Sequence, residues 1–275
     1  VEKKKVKVAV IDMNNGTANQ GMRGIQEVLQ RYKDAQHLNL DFQVFDLRQK
    51  GEIPDLSYDI YISSGGPGSP YDGKGLQWEN DFFDLLTAIE SFNEQNDAVK
   101  KYAFLICHSY QLACRKFNVG KVVKRRSTAF GIFPVFLTEN GVDDVIFKGL
   151  SNPFYTVDSR DWQVLSVEEP AENTYANVLA LEKERPHVDL ERCMMSARFT
   201  KEIVGTQFHP EADPVGMKMY LLRDDKKEAI IANHGLEKYE DMLSSLDDAN
   251  KLELTQHTIL PNFITEALQA IHESV

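Results

Sequence analysis

The run Asp59-Ile60-Tyr61-Ile62-Ser63-Ser64-Gly65-Gly66-Pro67-Gly68-Ser69-Pro70 passes from an apolar segment directly into a glycine- and proline-rich turn. A short apolar run bounded by turn residues reads as a buried strand. Toward the N-terminus, Phe42 to Leu47 is a second such strand. Val6-Lys7-Val8-Ala9-Val10-Ile11 is another, closed by Asn14-Asn15-Gly16. Between them, Gln20 to Tyr32 places Ile25, Val28 and Leu29 at helical spacing. Toward the C-terminus, Trp78 to Phe92 carries Phe82, Leu85, Leu86 and Ile89 on one helical face, and Tyr102-Ala103-Phe104-Leu105-Ile106 is a fourth strand. Strand and helix alternate, so the sequence predicts an α/β fold with a mostly parallel central sheet flanked by helices.

Residues 121 to 208 change character. Short β-rich runs follow one another at Lys121–Arg126, Ile132–Leu137, Phe154–Val157, Val178–Leu181, Met194–Phe199 and Glu202–Phe208. They predict antiparallel or mixed strands that complete the same sheet or form a flanking one. The stretches Pro170 to Asn177 and Glu182 to Asp189 read as exposed turns. From Asp213 the text becomes helical and strongly charged, with a surface helix expected within Leu236 to Lys251. Pro261 is expected to open a last helix through Ile264, Leu268 and Ile271. The organisation expected is one domain over residues 1–220 and a helical C-terminal extension over 221–275.

Composition narrows the function classes. The 275 residues are 42% hydrophobic and 27% charged, an ordinary globular balance, and carry a formal net charge of −11. So acidic a surface disfavours polyphosphate, and the basic run Lys121-Val122-Val123-Lys124-Arg125-Arg126 reads as a solvated strand face, so no nucleic-acid partner is expected. No apolar stretch approaches membrane-spanning length, and the lysine-rich start does not resemble a signal peptide. Three cysteines, Cys107, Cys114 and Cys193, lack metal-like spacing, so a reduced, cytoplasmic chain without bound metal or cofactor is expected.

Three places carry potential chemistry. Gly65 and Gly66 follow a parallel strand, where glycine permits positive φ and lets backbone N–H groups approach a ligand; a plain tight turn is the alternative. Cys107 falls where the fourth strand ends and a helix through Gln111, Leu112 and Arg115 begins, so the helix dipole favours its thiolate; buried packing is the alternative, and the reading for Cys114 and Cys193. His209 and Glu211 lie two apart in an extended segment and project to the same side. A carboxylate holding one imidazole nitrogen while the other faces a thiol is the orienting logic of a nucleophilic triad.

Taken together, Ser64-Gly65-Gly66-Pro67, Ile106-Cys107 with Gln111, and Gly205-Thr206-Gln207-Phe208-His209-Pro210-Glu211 make the sequence resemble the class I glutamine amidotransferases. This is the Cys-His-Glu family typified by the glutaminase part of GMP synthase. The resemblance runs from about Val6 to about Tyr220. It implies a flavodoxin-like architecture, with Cys107 attacking the side-chain amide of glutamine or a related γ-glutamyl compound. His209 would activate the thiol and protonate the leaving ammonia, Glu211 would hold the imidazole, and the amides of Gly66 and His108 would receive the oxyanion. Gly65, Gln111, Ser159 and Arg160 match substrate-binding positions, and a separate synthetase or acceptor subunit is the implied partner.

The sequence departs from the family at two places. The family's Gly-x-Cys-x-Gly is Leu105-Ile106-Cys107-His108-Ser109 here, and its Ser-His-x-Asp segment keeps only Ser159, with Arg160 and Trp162 in place of the histidine and aspartate. Three readings are therefore open: an amidotransferase-type glutaminase, a γ-glutamyl peptidase or hydrolase with the same triad, and a catalytically silent regulatory protein on the same fold. Among the remaining residues, His37, His187, His234, His257 and His272 read as solvated. Asn14 to Gln20 reads as a helix-opening turn, and Tyr71-Asp72-Gly73-Lys74-Gly75 as a mobile loop beside the glycine turn.

Overall fold

The structure, a computed structural model, describes residues 5–166, 176–184 and 191–273. Most of the two stretches read as exposed turns, together with His187 and the side chain of His272, lies outside them. Among the described residues one nine-stranded sheet organises the chain. In chain order its strands are β1 (Val6–Asp12), β2 (Leu40–Asp46), β3 (Ile60–Ser63), β4 (Tyr102–Ile106), β5 (Lys121–Leu137), β6 (Phe154–Leu165), β7 (Asn177–Glu182), β8 (Met194–Arg198) and β9 (Ile203–Thr206). The spatial order is β2-β1-β3-β4-β9-β8-β7-β5-β6. From β2 to β9 neighbours run parallel; from β9 to β6 every pair is antiparallel. The β-rich second half thus completes the same sheet.

Helices α1 (Gln20–Gln36), α2 (Leu47–Lys50), α3 (Gln77–Gln95), α4 (His108–Lys116) and α5 (Glu139–Asp143) connect these strands, and α6 (Pro214–Leu221), α7 (Asp224–His234), α8 (Leu236–Ser245) and α9 (Leu252–Glu273) follow them. Alternation along the parallel strands feeds two apolar layers. Val6, Val8 and Val10 of β1 join Ile25 and Leu29 of α1 and Phe263 and Ile264 of α9 on one face, while Ala9 and Ile11 join Phe82 and Leu86 of α3 and Tyr110 of α4 on the other. A third cluster packs α6, α7, α8 and the start of α9 onto the antiparallel wing through Met217, Leu221, Ile230, Tyr239, Met242 and Leu252 against Ile132 and Val157.

Two expectations need correction. Pro261 does not open the last helix: α9 begins at Leu252 and carries the proline inside it. Burial of Leu252, Ile259, Leu260, Phe263 and Ile264 along one face outweighs the missing N–H. The strand read as Phe154–Val157 extends to Leu165 and pairs with β5 across a bulge between Lys124 and Ala129. Its polar text hides a strand because Arg160 donates from Nε to both oxygens of Asp158, at 2.8 and 2.9 Å, within the protein.

Candidate active site

Adjacent parallel strands β3, β4 and β9 end at one edge of the sheet, which brings together segments far apart in sequence. At the end of β4, Cys107 takes φ 50° and ψ −98° before α4 starts, an uncommon backbone for a residue with a side chain. Its N–H is tied to Thr206 O of β9 at 2.7 Å, fixing the elbow against the neighbouring strand. Among the described residues no side chain caps α4, so its first-turn amides, including that of His108, have no helical acceptor.

The sulfur lies in a polar cage. Gln207 Nε2 approaches Cys107 Sγ at 3.6 Å, and the thiol points to Ser159 O at 3.8 Å. The His209 imidazole lies beside Cys107, since a Cβ on Gly65 would be 2.9 Å from His209 Cε1 and 3.4 Å from Cys107 Cβ, and its Nδ1 meets Glu211 Oε1 at 2.8 Å. Burial opposes a charge on this ring, but the Glu211 carboxylate and the Cys107 sulfur overcome it and hold the imidazole well above the usual histidine range. Glu211 is itself 1% exposed. It fits because α1 offers Gly21 and Gly24 there: a Cβ on Gly24 would collide with the Glu211 carbonyl, and one on Gly21 would lie 2.8 Å from Oε1.

Gly65 and Gly66 serve by close approach. Neither is among the positive-φ glycines, contrary to the conformational role expected of them. A Cβ on Gly65 would lie 2.9 Å from His209 Cε1 and 3.4 Å from Cys107 Cβ, and one on Gly66 would collide with the Met13 carbonyl. The glycine turn therefore lets the imidazole and the elbow pack directly on the backbone.

Both departures at the elbow are accommodated. Leu105 is buried between β3 and β9, and its partner across β9 is Gly205, where a Cβ would lie 3.2 Å from Leu105 Cβ and 2.9 Å from Tyr110 Cδ2. Bulk on one strand is matched by its absence on the next. Ser109 donates to Ser64 O and pairs with Ser63 Oγ, both at 2.7 Å, tying the start of α4 to the glycine turn.

The substrate-binding candidates are placed as follows. Gln111 is buried, with Nε2 donating to Gln207 Oε1 at 3.0 Å and Trp162 O at 3.3 Å. Ser159 is exposed, with its carbonyl 3.8 Å from the Cys107 sulfur, and Asp161 is exposed with its carboxylate accepting from Thr128. Arg160 turns inward to Asp158, its side chain 1% exposed. The side chain of His108 is buried against Trp78, and burial, with Arg48 and Arg115 adding, lowers its pKa to about 3, so it is neutral. Gln207 is a contact that residue-by-residue reading passed over; it lies in the bend after β9, and His209 and Glu211 meet through a turn closed by Ala212 N–H on His209 O at 3.3 Å, not through the extended segment expected.

The Tyr71–Gly75 loop is pinned. Tyr71 OH donates to Val122 O at 2.9 Å, and a Cβ on Gly73 would collide with the Trp78 ring. Asn19 caps α1, and Ala18, Asn19 and Gln20 also wall a cavity beside His209. Cys114 and Cys193 are buried, and burial pushes both thiols up. Among the described residues no group of three or more His, Cys, Asp or Glu is disposed to hold a metal, and no helix is long and apolar enough to cross a membrane.

A sequence model of the family described as glutamine amidotransferase class-I matches residues 24–229. No curated protein matches the chain in sequence. A glutamine amidotransferase from Thermotoga maritima superposes with a TM-score of 0.69 at 14% identity, covering 97% of this chain and 99% of that one. A glutamine amido transferase from Methylobacillus flagellatus gives 0.65 at 11% identity, covering 99% and 96%. The CTPS glutaminase domain from Trypanosoma brucei, solved with bound acivicin, gives 0.57 at 13% identity, covering 93% and 100%. These likenesses are of fold.

Proposed function

The chain belongs to the class-I glutamine amidotransferase family, and from that premise we propose that it is a thiol amidohydrolase releasing ammonia from the glutamine side-chain amide through a γ-glutamyl thioester on Cys107. The observation that carries this reading is the convergence of Cys107, His209 and Glu211 at the carboxyl edge of the parallel strands, with His209 and Cys107 packed side by side over Gly65 and His209 Nδ1 2.8 Å from Glu211 Oε1. The sulfur attacks the amide carbon, His209 passes its proton to the leaving nitrogen, and water then frees glutamate. Glu211 holds the ring in orientation and favours its charged form. The amides of Gly66 and His108 are assigned to the oxyanion.

Gly65, Gln111 and Ser159 form the proposed substrate cradle, with Arg160 acting through Asp158 to shape the β6 rim. Residues 1–220 carry this unit and 221–275 form its helical extension. The ammonia would serve a separate acceptor subunit, and the reduced site suits the cytoplasm. A second reading, hydrolysis of a larger γ-glutamyl compound by the same triad, is favoured by the cavity beside His209.

The test is glutamate and ammonia release from glutamine by the wild-type chain and Cys107→Ala, with mass spectrometry after a glutamine-analogue electrophile. Turnover abolished in the variant, with an adduct on Cys107 in the wild type, is expected. Absence of both turnover and adduct with any γ-glutamyl compound would leave only a silent fold.

A further inference from the structure

The Cys107 sulfur has two polar neighbours of opposite kind. On one side is Ser159 O at 3.8 Å, a carbonyl that accepts from the thiol and repels its conjugate base. On the other is Gln207 Nε2 at 3.6 Å, within hydrogen-bonding reach for an atom as large as sulfur. An amide N–H offered to the sulfur favours the thiolate, because a hydrogen bond to the charged form stabilises it. The effect depends on which end of the amide faces the sulfur, since the oxygen would do the opposite.

That choice is fixed from a distance. Trp162 O is a main-chain carbonyl and can only accept, so the Gln111 amide turns its nitrogen toward it, at 3.3 Å. The same nitrogen reaches Gln207 Oε1 at 3.0 Å. Gln207 is thereby obliged to point its oxygen at Gln111 and its nitrogen at Cys107. Gln207 is 0% exposed and Gln111 3%, so water does not compete for either amide. Turning one of them over would set oxygen against oxygen inside the protein. The main chain of Gln207 is pinned as well, its N–H on Met195 O at 2.8 Å. Both hydrogens of the Gln111 amide are spent in this relay, which leaves its Oε1 for the substrate cradle.

From this we infer that Gln207 is a further catalytic residue: its side-chain amide donates to the Cys107 sulfur and holds it as thiolate, with Gln111 and Trp162 O setting the donor's direction. The inference rests on the thiol amidohydrolase reading above. The thiol gives its proton to His209, the sulfur bonds to the amide carbon, and the C–N bond breaks as that proton completes ammonia. Water then gives a proton to His209, its oxygen bonds to the thioester carbon, and the C–S electron pair returns to the sulfur. The same donor serves the sulfur as nucleophile and as leaving group. Of the titratable side chains around Cys107, His209 with Glu211 behind it takes part in this exchange, whereas His108 turns to Trp78 and Arg160 to Asp158.

The test is the pH dependence of alkylation by iodoacetamide, followed on Cys107 by mass spectrometry, for wild type, Gln207→Met and Gln207→Glu. Methionine fills the space without a donor; glutamate keeps an oxygen for Gln111 and puts another where the N–H was. Both should raise the alkylation midpoint by at least about one pH unit, or about tenfold less thiolate below it. Both should also lower kcat/KM for glutamine at least about tenfold. Gln111→Leu, which leaves the direction of Gln207 unset, should raise the midpoint by less, and it carries the test if the changes at 207 unfold the chain. A folded Gln207→Met protein whose Cys107 titrates as in wild type would overturn the inference, while glutamine turnover by wild type leaves the amidohydrolase reading standing. No turnover of any γ-glutamyl compound by wild type would remove that reading, and the part of Gln207 in catalysis with it.

Discussion

A histidine between an acid and a thiol is a tuned proton carrier, and its tuning here has an identifiable source. Burial alone would discharge His209; the Glu211 carboxylate, 2.8 Å from Nδ1, is the leading group opposing that. Removing the carboxylate charge lowers the ring's pKa. In the proposed reaction His209 carries a proton to the leaving nitrogen, so that step weakens as pH rises through its pKa. Glu211→Gln should therefore move the alkaline limb of the kcat profile to lower pH by about one unit or more, and lower the maximum by about tenfold or more. An unmoved limb, measured from pH 6 to 10, would show that the imidazole is not the group reporting there. At this scale the motif Gln207-Phe208-His209-Pro210-Glu211 made the His209–Glu211 pair legible, although a turn after β9, and not strand alternation, brings the two together. What it could not disclose was the reason for Gly65, because the clash with His209 is between residues 144 positions apart and depends on where β9 lies.

Among the elements, β6 shows why polar text can conceal regular structure. Val6–Asp12 and Tyr102–Ile106 announce themselves as apolar runs, and their strands match that reading closely. The strand expected over β6 ends at Val157, yet Asp158 and Arg160 share one face of its continuation and form an ion pair inside the protein. That pairing is long-range in effect though short in sequence, for it matters only once β5 and β7 close around it. Asp158→Ala would leave the buried guanidinium only the more distant Glu182 carboxylate, at 3.5 Å, and should cost about 3 kcal/mol in urea unfolding. The double change Asp158→Leu with Arg160→Met should recover most of that loss. If the single variant unfolds at the same urea concentration as wild type, the pair is not what holds β6 in place. The start of α9 is a related case: proline was the strongest local signal, and an apolar face provided by distant elements outweighed it.

For the molecule as a whole, the C-terminal helices are structural as well as peripheral to the chemistry. Ile259, Leu260, Phe263, Ile264, Ala267 and Leu268 of α9 sit in the same apolar layer as β1, β3 and β4. Gln256 of α9 also donates to Glu211 O at 3.3 Å. At about 1.5–3 kcal/mol for each fully buried large side chain, their removal approaches or exceeds the entire stability of an ordinary domain. A chain ending at residue 225 should show no cooperative thermal transition by circular dichroism; a sharp transition near the wild-type temperature would mark the extension as a dispensable tail. The contacts that β6 makes around Cys107 have one more consequence. Ser159 O faces the Cys107 thiol, Val157 O accepts from the His209 N–H, and Trp162 O accepts from Gln111, so each is a main-chain carbonyl. Support of that kind is blind to side-chain identity. The segment can be rewritten, as it has been at Arg160 and Trp162, and the repertoire of accepted molecules can drift while the reactive geometry is inherited intact.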